Sequence, residues 1–86
     1  MTFFVYILLC EDGSFYTGST KNLDKRVELH MNGKGARYTK SHKPKKVAYI
    51  ELFETRSGAL KRERRIKKLS HNQKQGLITK NNYSPN

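Results

Sequence analysis

The chain has 86 residues, and 18 lysines and arginines against 7 acidic residues give it a formal net charge of +11. That length fits one domain near the small end for a self-sufficient core, and that charge selects an acidic partner, nucleic acid first. The single cysteine, Cys10, excludes an internal disulfide, no Cys/His cluster has zinc spacing, and the N-terminal apolar run ends at Cys10, too short for a signal peptide or membrane span.

A reducing cytoplasm is the expected location. No segment pairs a wide apolar face with lysines, so no membrane partner is expected. Residues 1–79 read as one domain and 80–86 as a polar tail.

Residues 3–10 are all apolar or aromatic and read as a strand buried on both faces. Asp12-Gly13 marks a tight hairpin, with Ser14 to Gly18 returning as the second strand. A two-residue loop would put Tyr6 and Tyr16 on opposite faces. A three-residue loop, Glu11-Asp12-Gly13 with Gly13 left-handed, pairs Leu8 with Tyr16 and Tyr6 with Gly18. Both tyrosines then share a face, with free space beside Tyr6 where Gly18 has no side chain. The three-residue loop is the expectation. Two phenols beside a bare glycine suggest a site, while two ordinary strand tyrosines are the plainer explanation.

Ser19 to Met31 reads as the first helix, with Asn22 as N-cap and Asp24 in its first turn. Leu23, Val27 and Met31 are expected to form its buried edge. Arg26 and His30, four apart, stack on one face beside that edge. Gly33 suits a left-handed C-cap.

Met31 to Lys46 reads as a basic loop holding Gly35-Ala36-Arg37-Tyr38-Thr39. An aromatic among Lys34, Arg37 and Lys40 suits phosphate contact with base or sugar stacking. A solvated charged loop is the alternative.

Val47 to Glu54 reads as a third strand with a partly exposed edge. Val47, Tyr49 and Phe53 are assigned to one face, and Ala48, Ile50 and Leu52 to the other.

Arg56 to Leu69 reads as a second long helix capped by Thr55 or Ser57. Leu60, Ile66 and Leu69 form its stripe, and Glu63 falls within that stripe. A carboxylate there must be paired, protonated or metal-bound. Ser70 to Ile78 reads as a short closing helix.

Tyr6, Tyr16, Gly18, Arg26, His30 and Glu63, with Asp-Gly between the strands and Gly-Ala-Arg-Tyr-Thr in the loop, resemble the GIY-YIG nuclease superfamily. The small stand-alone bacterial members are the most similar. The resemblance covers about Thr2 to Ile78. Phe4-Val5-Tyr6 stands where Gly-Ile-Tyr is expected, and Tyr16-Thr17-Gly18 where Tyr-Ile-Gly is expected. Asn72 is a weak match for an asparagine that some members carry after the glutamate.

The resemblance implies an α+β fold, a three-stranded antiparallel β-sheet flanked by α-helices. It implies metal-dependent hydrolysis of phosphodiester bonds in DNA, with RNA as a further possible substrate and a role in repair or recombination. Glu63 would hold Mg²⁺ or Mn²⁺, and Arg26 the scissile phosphate. Tyr6 would activate water, provided that the metal and Arg26 lower its pKa. Tyr16 would position water or phosphate, and His30 would relay a proton or serve structurally. Gly18, Lys34, Arg37, Tyr38 and Lys40 would contact nucleic acid, with Lys21, Lys67 and Lys68 as a further track or plain surface. The state expected is a monomer or weak dimer, with selectivity for DNA structure rather than sequence, or supplied by a protein partner. A non-catalytic basic DNA- or RNA-binding module is the competing reading, and a ribosome-associated protein a third.

Overall fold

The structure, a computed structural model, describes residues 1–80. Three strands, β1 (Phe3–Cys10), β2 (Phe15–Thr20) and β3 (Pro44–Phe53), form an antiparallel sheet in the order β2-β1-β3. Four helices accompany it: α1 (Leu23–Met31), α2 (Arg37–Ser41), α3 (Arg56–Lys67) and α4 (His71–Lys80). The fold class is the α+β sheet-and-helix arrangement expected. From Asn81 on, the expected tail lies outside the described residues, and Lys80 closes α4.

β1 is the central strand, which explains its unbroken apolar run. Val5, Tyr6, Ile7 and Leu8 are wholly covered. The hairpin has the three-residue loop: Leu8 faces Tyr16, Tyr6 faces Gly18, and Gly13 has φ +87°. Cys10 N–H donates to the Ser14 carbonyl at 2.9 Å and Gly13 N–H to the Cys10 carbonyl at 3.0 Å.

Residues facing each other across the ladders share a side, so the sheet has two distinct faces. One carries Val5, Ile7 and Tyr49, and packs with Ala59 and Ile66 of α3 into the apolar core. Phe3, Phe15, Phe53, Leu77 and Ile78 extend that core. The other carries Tyr6, Leu8, Tyr16 and Gly18, and lies against α1.

Several boundaries differ from the sequence expectation. β2 continues to Thr20 because Val5 pairs with Ser19 and Phe4 with Thr20, so α1 starts at Leu23. Asn22 caps it as expected, accepting from Lys25 N–H at 3.1 Å. The most buried residue of α1 is His30, at 0 % exposure, while Met31 is 40 % exposed. The covered side of α1 is therefore mixed, with His30 deepest and Leu23, Arg26 and Val27 half-buried around it, and Met31 is left outside.

The expected loop contains the short helix α2, and β3 begins at Pro44 because Cys10 pairs with it. A register shift places Val47 opposite Leu8 while Tyr49 stays opposite Ile7. The bulge at Ala48 thus removes Val47 from the Tyr49 row, against the simple alternation. The exposed edge expected of this strand is present, since β3 borders the sheet.

In α3 the covered positions are Ala59 and Ile66, with Arg62 and Glu63 half-covered, and Leu60 is exposed. Ile66, with Glu63 and Leu69 half-covered, stands in the stripe as expected, but Ala59, two turns before Ile66, takes the place expected of Leu60. Thr55 caps α3 through Gly58 N–H at 3.0 Å. Ser70 and Gln73 form a reciprocal capping box for α4, with bonds of 2.8 and 3.1 Å. Among the described residues no helix is long and apolar enough to cross a membrane.

Candidate active site

The register of the hairpin places Tyr6 and Tyr16 on one face with Gly18 between them. A Cβ on Gly18 would lie 2.5 Å from the Tyr6 hydroxyl oxygen and 3.1 Å from a Tyr16 ring carbon. Only glycine permits this contact. The ring centroids of Tyr6 and Tyr16 are 6.4 Å apart, and the His30 ring lies 5.8 Å from the first and 5.0 Å from the second.

A chain of hydrogen bonds leads away from Tyr6. Its hydroxyl lies 2.8 Å from His30 Nε2, and His30 Nδ1 lies 2.9 Å from Thr39 Oγ1. Thr39 spends its hydrogen on the Ala36 carbonyl at 3.1 Å. Thr39 therefore accepts from His30 Nδ1–H, Nε2 carries no hydrogen, and Tyr6 donates to it. Three buried polar groups thus share one direction of donation. Gly35 makes this possible, because a Cβ there would sit 2.4 Å from His30 Nδ1.

Burial lowers the His30 pKa, and the Arg26 charge lowers it further, so the ring is neutral at pH 7. The Tyr6 pKa moves up. Burial is the largest cause and Tyr16 adds to it, while the charge and hydrogen bond of Arg26 act in the opposite direction. Arg26 does favour the phenolate as the sequence suggested, but among the groups present burial outweighs it. Tyr6 is fully covered, and Tyr16 is half-exposed above it.

Glu63 comes from the other side of the sheet. Ser19, next to Gly18 but pointing with Val5, donates to Glu63 Oε1 at 2.5 Å. Lys67, one turn along α3, lies 2.8 Å from Oε2. Burial alone would raise the Glu63 pKa. Hydrogen bonds from Lys67 and Ser19, with the charges of Lys67 and Arg64, outweigh it and hold the group below its ordinary value. Glu63 is thus an ionised carboxylate paired with a lysine and a serine.

A cleft of about 290 Å³ joins the two sides at the end of β2. It is lined by Ser19, Lys21, Arg26 and Arg56 with an apolar floor that includes Phe3 and Leu60. Ser19 bonds Glu63 and Arg26 interacts with Tyr6, so one neighbour of each half lines the cleft, while Tyr6, Tyr16, His30 and Glu63 stand behind that lining.

The basic residues expected to bind nucleic acid lie alongside. Lys34, Arg37 and Lys40 line a shallow cleft of about 400 Å³. Tyr38 stacks on Tyr16 at 5.9 Å and on His42 at 4.1 Å. His42 in turn lies 2.8 Å from Asp12 and ties this segment to the hairpin. Asn72 is exposed in the first turn of α4, with no hydrogen bond to these groups among the described residues.

Ser19, Gly35 and Thr39 were not identified as site residues from sequence. Gly35 and Thr39 belong to the Gly-Ala-Arg-Tyr-Thr segment, which was a signal for both. Nothing in the sequence singled out Ser19.

Among the described residues no cluster of three or more His, Cys, Asp or Glu could enclose a metal. That excludes a closed zinc-like cage. A single carboxylate is a sufficient protein ligand for an ion such as Mg²⁺, which accepts one or two carboxylates with water and substrate phosphate completing its shell. Glu63 is ionised, each of its oxygens keeps a second lone pair, and Lys67 is an exposed, flexible side chain able to yield its place.

A family model described as the GIY-YIG catalytic domain matches residues 2–76. A UPF0213 protein of Staphylococcus saprophyticus is 49 % identical, the match covering 88 % of this chain and 93 % of that one. A UPF0213 protein of Clostridium perfringens is 53 % identical, with 88 % and 82 % covered. Two solution NMR structures are similar. A UPF0213 protein of Bacillus halodurans has a TM-score of 0.60 and 39 % identity over 92 % of this chain and 84 % of that one. A protein of E. faecalis has a TM-score of 0.64 and 40 % identity over 100 % and 93 %. With its tyrosine hairpin and helix-borne glutamate, the chain belongs to the GIY-YIG nuclease family.

Proposed function

We propose that the chain is a divalent-metal-dependent endonuclease that hydrolyses phosphodiester bonds in DNA. The observation that carries this reading is the one-way hydrogen-bond chain from Tyr6 through His30 to Thr39. A structural tyrosine needs only one acceptor. Here the acceptor is itself oriented and kept neutral, as a proton-accepting group must be.

In this reading the attacking water gives a proton to the Tyr6 oxygen while the Tyr6 proton passes to His30 Nε2. No free phenolate is required, which removes the difficulty of a phenol with a raised pKa. Tyr16 gates the approach to Tyr6 and positions the water. Arg26 holds the scissile phosphate through two guanidinium N–H groups. Glu63 holds the metal ion, and Ser19 orients that carboxylate. The bound ion supplies charge stabilisation at the phosphate and the leaving oxygen. Lys34, Arg37, Tyr38 and Lys40 hold flanking nucleotides, whereas Gly18, expected among them, is buried against the Tyr6 hydroxyl and makes room for the tyrosine pair instead. These groups suit phosphates more than base edges, which supports selectivity for DNA structure rather than sequence; repair or recombination is the role we propose for such an activity.

The test is nicking of supercoiled plasmid with Mg²⁺ or Mn²⁺ by wild type, Glu63→Ala and Tyr6→Phe. Metal-dependent nicking lost in both variants is the expected result. Nicking that survives in both would refute the assignment of the site. Salt-sensitive binding without cleavage of plasmid, branched or flapped DNA would favour a non-catalytic binding module.

A further inference from the structure

α3 carries a second cationic surface that the proposed chemistry does not use. At 3.6 residues per turn, Lys61, Arg64, Arg65 and Lys68 fall at i, i+3, i+4 and i+7, which is one face of one helix. All four are exposed. The buried positions Ala59 and Ile66 point to the sheet, and the basic row lies about half a turn away from them. The row therefore faces outward from the molecule. It lies on the side of the sheet opposite Tyr6, Tyr16 and His30, with the whole helix between.

The acidic groups nearby are already committed. Glu51 is held by Arg62 in a two-pronged ion pair, with contacts of 3.0 and 3.1 Å, and Glu63 is held by Lys67 and Ser19. Among the described residues none of the four cations makes an ion pair. Beside the row a groove of about 440 Å³, lined by Phe53, Gly58, Lys61, Arg62, Arg64 and Arg65, runs toward the β3 edge. Uncompensated cations held in a row by a rigid helix attract a polyanion more than a single small anion. From Lys61 to Lys68 the row spans ~10 Å at 1.5 Å per residue, the length of about three phosphates along one strand of B-DNA. A lipid surface fits less well, since the row carries no aromatic or aliphatic side chain to insert.

We infer that the outward face of α3 binds a second segment of duplex DNA, separate from the segment at the tyrosine site, so that one molecule holds two duplexes at once. Two opposed phosphate-binding faces bring together arms of a branched substrate or two strands of a crossing. The inference rests on the proposed DNA binding at the tyrosine site, but not on cleavage there.

The test is capture between duplexes, performed with a chelator so that cleavage plays no part. A short duplex is fixed to beads, protein is added, and a second, dye-labelled duplex follows. Wild type is expected to retain the dye. A variant carrying Lys61→Ala, Arg65→Ala and Lys68→Ala changes only exposed side chains to a better helix former, so the fold is expected to persist, as circular dichroism would verify. It is expected to bind the bead duplex but to lose capture of the dye. In a variant carrying Lys68→Ala alone, which keeps part of the row, capture of the dye-labelled duplex should weaken with salt less steeply than in wild type, by about 0.9 in slope. Dye capture that persists in the folded variant would overturn the inference and assign bridging to a dimer. An unchanged salt slope would overturn it too, as would capture of an RNA duplex in preference to DNA.

Discussion

The two faces of the sheet are built from neighbouring residues of the same strands, yet they follow opposite rules. Behind β1 the α3 face is filled with Val5, Ile7, Tyr49, Ala59 and Ile66. In front, the α1 face buries Tyr6, His30 and Thr39 at 0–2 % exposure, each with hydrogen-bond partners. Burial of apolar surface stabilises the first at about 25 cal/mol per Å². On the second, each polar group must be matched, since an orphan costs about 1–3 kcal/mol. The apolar face accounts for cohesion, and the polar face holds groups in fixed protonation states.

The largest separation of the two should come from Ile66→Ala. Ile66 is fully covered beneath α3, and its truncation should cost about 2–5 kcal/mol in urea unfolding. Nicking per folded molecule should stay near wild type, and a stability loss under 1 kcal/mol would show that this face is not the main core.

On the polar face Gly18→Ala should have the opposite profile. The new Cβ meets the end of the Tyr6 ring at 2.5–2.7 Å. Displacing that ring should cost about 1–3 kcal/mol and reduce nicking by at least about 10²-fold. Retained nicking would detach the Tyr6 position from the activity.

Thr39→Val should act through His30. It removes the acceptor for Nδ1–H and should cost about 1–3 kcal/mol. The pH dependence gives a sharper reading. The folded His30 pKa is below the ordinary value of 6.5, so the unfolded chain binds more protons as pH falls through that value. This contribution to stability is complete above about pH 6.5 and is lost progressively as pH falls toward the folded pKa. Nicking should show an acid limb in the same region, and Thr39→Val should move that limb. A pH profile identical in wild type and variant would argue that His30 takes no proton.

The smallest expected effect is a gain. Thr17 faces Ile7 on the apolar side, and its Oγ1 is buried without a hydrogen-bond partner among the described residues. Thr17→Val should raise stability by about 1 kcal/mol in thermal or urea unfolding, with nicking unchanged. It would also bring the chain nearer the Tyr-Ile-Gly pattern of its family. Destabilisation would mean that Thr17 has a polar role.

Much of this division was legible in the residues. The apolar run of β1 announced a central strand, and Asp12-Gly13 with Gly18 announced a hairpin whose register places two tyrosines together. Arg26 and His30 could be paired by helical spacing alone. The positions that failed share a physical reason. Met31 was assigned to the buried edge of α1 and His30 beside it, but α1 approaches a face that needed a hydrogen-bond acceptor, so His30 is the covered one. Leu60 looked like core, but α3 sets Ala59 rather than Leu60 against the sheet. Val47 was assigned by alternation, which a bulge breaks.

The sequence by itself determined the three strands and the longer helices in outline, the hairpin, the cap at Asn22 and the strongly cationic surface, because these depend on neighbours within a few residues; it left the α3 cap open between Thr55 and Ser57 and read α2 as loop. Only the tertiary structure decided that Thr39 orients His30, that Ser19 and Lys67 hold Glu63 ionised, and that burial outweighs Arg26 at Tyr6. Apart from the helical turn between Lys67 and Glu63, these are contacts between groups far apart in the chain. Their protonation and pairing follow from burial and distance, which exist only once the sheet has brought its two faces together.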